Sequence, residues 1–243
     1  YERAAADGAD VIVKLDGDGQ MDPAMIPRLV APILRGDADY TKGNRFFDLR
    51  GLQGMPPLRL MGNALLSFLS KISSGYWSVF DPTNGFTAIH ARVWREIPAT
   101  RLSHRWFFES DMLFRLGILR AVVQDVPMPA VYGDERSGLR EHSVVAEFAW
   151  KHLRNSAKRI FYSYFLRDFS MASIQLLLGL ALLAAGTWIG LDYWAESARS
   201  GRLASSGTVM LAALPFILGF QLLLAFLSFD MNNSPVSPLH RRL

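Results

Sequence analysis

The residues best suited to chemistry lie in the first half of the chain, and the densest group is Asp16-Gly17-Asp18-Gly19-Gln20. Alternate residues of an extended turn point in similar directions. Asp16, Asp18 and Gln20 therefore offer hard oxygen ligands that converge where a divalent cation and a diphosphate could meet. A calcium loop of the EF-hand type competes for this pattern, but its sixth position would be Met21 rather than glycine and its twelfth Pro27 rather than glutamate. A second group, Phe107-Phe108-Glu109-Ser110-Asp111-Met112-Leu113, opens an apolar stretch with two carboxylates. A helix dipole accounts for one carboxylate at a helix start, not for both. Asp111 is expected to aim into a cleft as the base or electrostatic partner of an attacking acceptor, with Glu109 second to it.

Such groups need strands and helices to bring them together. Residues 10–15, Asp-Val-Ile-Val-Lys-Leu, form a β-branched run that ends at the acidic turn, which predicts a buried strand feeding an exposed loop. Helical spacing follows over 23–35, with apolar Met25, Ile26, Leu29, Val30 and Ile33. Further strands are predicted near 38–42, ending at Gly43-Asn44-Arg45, near 86–90 after the turn Asp81-Pro82-Thr83-Asn84-Gly85, and over 121–126 after a helix around 110–119. The pattern is α/β, a class in which ligands gather at the carboxyl ends of strands. Residues 58–72 place Leu58, Met61, Leu65, Phe68, Leu69 and Ile72 on one helical face. That face could pack on the sheet or lie at a membrane boundary. Residues 144–165 interleave Phe148, Trp150, Ile160, Phe161 and Phe165 with basic side chains, a mixture that the headgroup layer selects.

The chain has 243 residues, half of them hydrophobic, and the apolar excess is concentrated near the end. No charged residue occurs between Asp168 and Asp192 or between Arg202 and Asp230. Each gap is long enough to cross roughly 30 Å of hydrocarbon as a helix, and membrane helices are expected over 171–191 and 207–229. Lys151, Arg154, Lys158, Arg159 and Arg167 precede the first, Arg241 and Arg242 follow the second, and the charges of the connecting loop cancel. The positive-inside tendency then places both ends in the cytoplasm. The net charge of +4 lies beside the bilayer and requires no nucleic-acid partner. With no cysteine, disulfides and thiolate zinc sites are excluded.

Taken in order, Asp-Gly-Asp-Gly-Gln (16–20), Lys-Gly-Asn-Arg (42–45), Asp-Pro-Thr-Asn-Gly-Phe (81–86), Phe-Phe-Glu-Ser-Asp-Met-Leu (107–113) and two C-terminal membrane helices resemble family-2 glycosyltransferases of the dolichyl- or polyprenyl-phosphate sugar transferase group, a group that includes the dolichol-phosphate mannosyltransferases. The resemblance implies a GT-A, Rossmann-like catalytic domain and an inverting transfer. The donor would be a GDP- or UDP-linked sugar and the acceptor a polyprenyl phosphate, at the cytoplasmic face of a bacterial inner membrane. It implies that Asp16, Asp18 and Gln20 bind Mg²⁺ or Mn²⁺, that Asp16, Asp18, Asn84 and Gly85 meet the donor, and that Arg45 and Arg59 hold the acceptor phosphate. The guanidinium fork suits that last task. Relatives carry a basic loop before the membrane; here the stretch is 132–140, in which Arg136 and Arg140 are the candidates for the same clamping. The domain boundaries expected are 1–142 for the catalytic part, 143–168 for juxtamembrane helices, 169–230 for the membrane region and 231–243 for a cytoplasmic tail. The opening Tyr1-Glu2-Arg3-Ala4 reads as a helix end feeding a strand, so the catalytic domain is expected to be incomplete at its N-terminus.

Three other functions fit parts of the pattern. A processive polysaccharide synthase would place Gln-x-x-Arg-Trp after the catalytic acid, whereas Arg105-Trp106 precedes Asp111 and lacks the glutamine. A transferase acting on another membrane acceptor, a glycolipid or a growing saccharide, shares the motifs. A non-catalytic membrane scaffold on the same fold would not require Asp16, Asp18, Asp111 and Arg45 together.

Overall fold

The computed structural model describes residues 1–17, 19, 21–47, 57–129 and 141–243, without the side chains of 57–60, 63 and 141–145. Four strands, β1 (Val11–Lys14), β2 (Tyr40–Asn44), β3 (Thr87–His90) and β4 (Val123–Pro127), form one sheet in the order β1-β3-β2-β4. Each lies where the sequence pattern puts a strand. β2 and β4 are parallel, but β3 runs antiparallel to both β1 and β2, so the sheet is mixed. This reversal brings the turn before β3, rather than its end, beside the carboxyl ends of β1, β2 and β4. Lys14, Thr87 and Lys42 stand in one row across the sheet as a result.

Alternation along the strands feeds two apolar layers. Val11, Val13, Phe86 and Ala88 pack with Met25, Leu29 and Ile33 from the helix α2 (Ile26–Leu34). Ile12, Tyr40 and Ile89 pack on the other face with Met112, Leu113 and Leu116 of helix α5 (Phe108–Leu119). The short helices preceding β1 and following β3 (Glu2–Ala6 and Ala91–Arg95) border the same layer.

Helix α3 (Pro57–Ser74) does not pack on the sheet through its apolar face. Met61, Leu65 and Phe68 are exposed, whereas Ser67, Ser70, Ser73 and Ser74 are buried. Inward serines are tolerated because their hydroxyls find partners, as three of the four show: Ser67 Oγ donates to Phe80 O (2.8 Å), Ser74 Oγ to Ser70 O (2.6 Å), and Ser73 Oγ lies 2.9 Å from His152 Nδ1. Small side chains also let α3 approach α5, where a Cβ on Gly117 would collide with the Ser74 carbonyl. The packing surface of α3 is thus its polar, narrow side, and its apolar side is left outward.

Helix α6 (Glu141–Phe161) packs on α3 and α5 through His152, Arg159, which donates to Ile72 O (2.9 Å), and Asn155. Arg159, one of the basic residues that precede the first apolar run, is buried and bonded here, which takes it off the surface. Trp150, Leu153, Arg154 and Lys158 occupy the outward side.

The chain divides into two compact units, 1–160 with 234–243, and 161–233. The second contains a π-helical turn (Tyr162–Arg167) and the helices α7 (Met171–Ser200) and α8 (Ser206–Asn232). α7 is longer than its charge-free run, α8 is as long as its own, and both are long and apolar enough to cross a membrane. Their surfaces remain largely exposed, including Leu177, Trp188 and Trp194 on α7 and Leu211, Ile217 and Phe220 on α8, unlike the core helices of a soluble domain. The helices meet at glycines: a Cβ on Gly186 would stand 2.6 Å from Phe216 N, and one on Gly219 2.6 Å from Leu183 N.

The segment after α8 rejoins the first unit at the sheet edge opposite the acidic turn. Asp39, fully buried just before β2, accepts Leu239 N (2.7 Å) and Val122 N (2.7 Å) on Oδ2, and His240 N (2.8 Å) and His240 Nδ1 (2.6 Å) on Oδ1. The His240 ring stacks on His90 at 4.4 Å.

Candidate active site

The edge formed by the ends of β1, β2 and β4 and the start of β3 gathers most of the described charged residues singled out from sequence. Its centre is a residue that pattern reading passed over. Lys14, the last residue of β1, places Nζ 2.6 Å from Asp16 Oδ1 and 2.9 Å from Glu109 Oε1, with the Gly85 carbonyl at 3.5 Å. Burial disfavours its ammonium, but the bonds to Asp16 and Glu109 and their charges outweigh that, so its pKa is raised. Gly85 is required by space: the Asp16 carboxylate fills the volume that a Cβ there would take. A lysine at a strand end has little signature of its own, since it also reads as a solvated turn residue.

Around this triad the charges alternate in sign. The ends of Arg45 and Asp81 form a fork, Nε to Oδ2 at 2.8 Å and Nη2 to Oδ1 at 3.1 Å, with Asp81 wholly buried and the arginine partly exposed. Lys42 is also wholly buried and donates to the Asn84 carbonyl. Burial lowers its pKa to about 8, against the opposing pull of Asp81, Glu109 and Asp125. Asp125 receives Asn44 Nδ2 (2.9 Å) and Phe80 N (3.0 Å) on Oδ2, while Oδ1 has no hydrogen-bond partner among the described residues. Burial raises its pKa. Asn84 holds the turn: it donates to Gly43 O (2.8 Å) and accepts Phe86 N (3.0 Å), so its side chain braces β2 against β3.

The two carboxylates opening α5 face opposite ways, and it is Glu109 rather than Asp111 that faces the acidic turn. Asp111 is buried, and its oxygens are taken by Ser103 N (2.9 Å), Arg115 Nε and Nη2 (3.2 and 3.1 Å) and Asn155 Nδ2 (3.2 Å). It faces the α6 side, not the acidic turn. Glu109, two residues earlier, faces Lys14 because a step of two on a helix turns the side chain by roughly 200°. Sequence spacing shows that only one of the pair can look into the cleft, but not which.

Asp18 and Gln20 lie outside the described residues, as do Arg136 and Arg140. Arg59 is in the first turn of α3, its side chain outside the described set. Among the described residues no three acidic or histidine side chains converge as a ready cation cage. The part that is described fits a hard cation in kind: two carboxylates, one of them 40% exposed, already converge on a single positive group, the Lys14 ammonium.

No family model matches the chain. It is 30% identical over 125 residues to an undecaprenyl-phosphate mannosyltransferase of Micrococcus luteus, covering 51% of this chain and 50% of that protein. It is 27% identical over 125 residues to the UDP-N-acetylglucosamine–dolichyl-phosphate N-acetylglucosaminyltransferase of Methanococcus voltae, covering 51% and 49%. The chain is similar to polyprenyl-phosphate sugar transferases. It spans about half the length of the curated relatives it matches. Among solved structures it overlays a glucosyl-3-phosphoglycerate synthase of Mycobacterium tuberculosis at a TM-score of 0.43 and 18% identity, over 65% of this chain and 52% of that one. Another structure of that synthase holds Mn²⁺ and uridine-diphosphate-glucose. These overlays are partial, and the sequence relatives are the firmer likeness to the polyprenyl-phosphate transferase group.

Proposed function

We propose that the protein transfers a sugar, with inversion, from a GDP- or UDP-linked donor to a polyprenyl phosphate at the cytoplasmic face of a membrane. The observation that supports this most is the meeting of the acidic turn, the β2 end and the start of α5 at one edge of the sheet, next to a helix whose apolar side faces outward. Donor diphosphate chemistry and a lipid acceptor need those two surfaces side by side.

Asp16, with Asp18 and Gln20, would hold Mg²⁺ or Mn²⁺, which when bound neutralises the diphosphate leaving group. Gly85 leaves room for the Asp16 carboxylate, and the Asn84 carbonyl and side chain hold the turn that carries it. Arg45, oriented by Asp81, and Arg59 on α3 would receive the acceptor phosphate, joined by Arg136 and Arg140. A phosphate acceptor is ionised at neutral pH, so its attack requires no proton removal; Glu109 orients and balances charge rather than acting as an obligatory base. Met61, Leu65 and Phe68 on α3 and Trp150 and Leu153 on α6 suit burial in the headgroup and acyl boundary, with Arg154 and Lys158 toward anionic lipid. Because residues on both sides of the α7–α8 hairpin belong to the first unit, a hairpin crossing of the membrane would return the chain to the side it left.

The test is transfer by the complete protein in proteoliposomes supplied with UDP- and GDP-sugars and either polyprenyl phosphate or diacylglycerol. A chelator-sensitive sugar–phosphate–polyprenol product is expected. Transfer to diacylglycerol alone identifies a glycolipid synthase, and no transfer or donor binding under any condition identifies a scaffold.

A further inference from the structure

Lys14 has a role that a strand-end lysine need not have. Val11 and Val13 face the α2 layer and Ile12 the α5 layer, so alternation puts Lys14 on the α5 side, where Glu109 waits at the helix start. Its ammonium joins two elements that are 95 residues apart in the sequence, at 2.6 Å from Asp16 and 2.9 Å from Glu109. The lysine side chain is 27% exposed, Glu109 13% and Asp16 40%, so the outermost member is the carboxylate assigned above to the cation. An ammonium and a divalent ion on one carboxylate repel each other strongly in a partly buried setting. Each therefore weakens the hold of the other on Asp16.

We infer that Lys14 is a positioning residue that competes with the cation for Asp16. In the cation-free site it holds Asp16 and Glu109 together; on cation entry Asp16 exchanges the ammonium for the ion, and Lys14 stays on Glu109 and keeps that carboxylate fixed beside the donor. The inference rests on the reading of the acidic turn as a cation site. It makes Lys14 the group that sets how much free cation the site needs, and it couples cation binding to the start of α5. The ammonium also neutralises two carboxylates that would otherwise repel each other, which fits a lysine beside the proposed cation site.

The experiment is Mn²⁺ binding by the complete protein without nucleotide, followed through the free-ion electron paramagnetic resonance signal, with wild type, Lys14→Met, Lys14→Arg and Asp16→Asn. Lys14→Met is expected to bind Mn²⁺ about tenfold more tightly than wild type, while its kcat for transfer falls because Glu109 is no longer fixed. Lys14→Arg restores near wild-type affinity. Asp16→Asn loses binding. A melting curve checks that Lys14→Met folds, and Lys14→Gln replaces it if it does not. Wild-type Mn²⁺ affinity in the folded neutral variant, or weaker affinity, overturns the competition while leaving the cation site intact. Absence of Mn²⁺ binding by the wild type itself overturns the cation site and the role of Lys14 together.

Discussion

The two edges of the sheet bury charge in different ways. At the far edge, Asp39 is fully buried and each of its oxygens receives two hydrogen bonds, from Val122, Leu239 and His240. At the cleft edge, Lys42 is buried with a depressed pKa, Asp125 keeps an oxygen without a partner among the described residues, and Lys14 is shared between carboxylates. A fully satisfied buried carboxylate ties elements together. Buried charges left with strained protonation or incomplete bonding cost stability, and a fold keeps them where binding or catalysis repays the cost. The comparison therefore separates a latch from the proposed site within one unit.

Four substitutions or conditions test that separation, in falling order of effect. Asp16→Asn should reduce transfer about a thousandfold, or ~4 kcal/mol in the barrier, while the melting temperature changes little. A matched loss of stability would place Asp16 with the structural edge instead. Asp39→Ala should do the reverse, costing about 3 kcal/mol in denaturant unfolding because four donors lose their acceptor, with turnover per folded molecule preserved. Third in size is a pH effect. His152, buried between α3 and α6, has its pKa lowered to about 4 by burial. The unfolded chain takes up the proton near 6.5 and the folded one only near 4, so stability falls as pH drops through that window, by about 2 kcal/mol between pH 7 and pH 5. Urea titrations at those pH values should show the slope, and His152→Gln should flatten it. The smallest effect is expected at Leu65→Glu, on the outward face of α3: KM for polyprenyl phosphate should rise about threefold in vesicles with donor KM unchanged. An equal rise for both substrates would remove α3 from the acceptor side.

Much of the fold is legible in the sequence. A β-branched run before the acidic turn and the glycine and proline turns beside the other segments located the four strands, since alternation and turn chemistry are local. The charge-free runs located both long helices for the same reason, although α7 continues nine residues past its run, to Ser200, and α8 three residues past its own, to Asn232. The direction of β3 was not legible, because a four-residue strand reads the same in either sense. Nor was the outward turn of α3: its amphipathic pattern names two faces and does not say which one a neighbour will cover. Asp111 and Glu109 show the same limit at single-residue scale.

What the sequence determined by itself is the inventory: where strands and helices form, which turns are acidic, and which segments are too apolar for water. Those properties depend on side-chain chemistry and on neighbours within a few positions. Only the tertiary structure decided the partnerships, Lys14 with Asp16 and Glu109, Arg45 with Asp81, and Asp39 with a tail 200 residues away. Such pairings depend on strand order and helix rotation, which are set by packing the whole chain at once, so no local pattern of residues contains them.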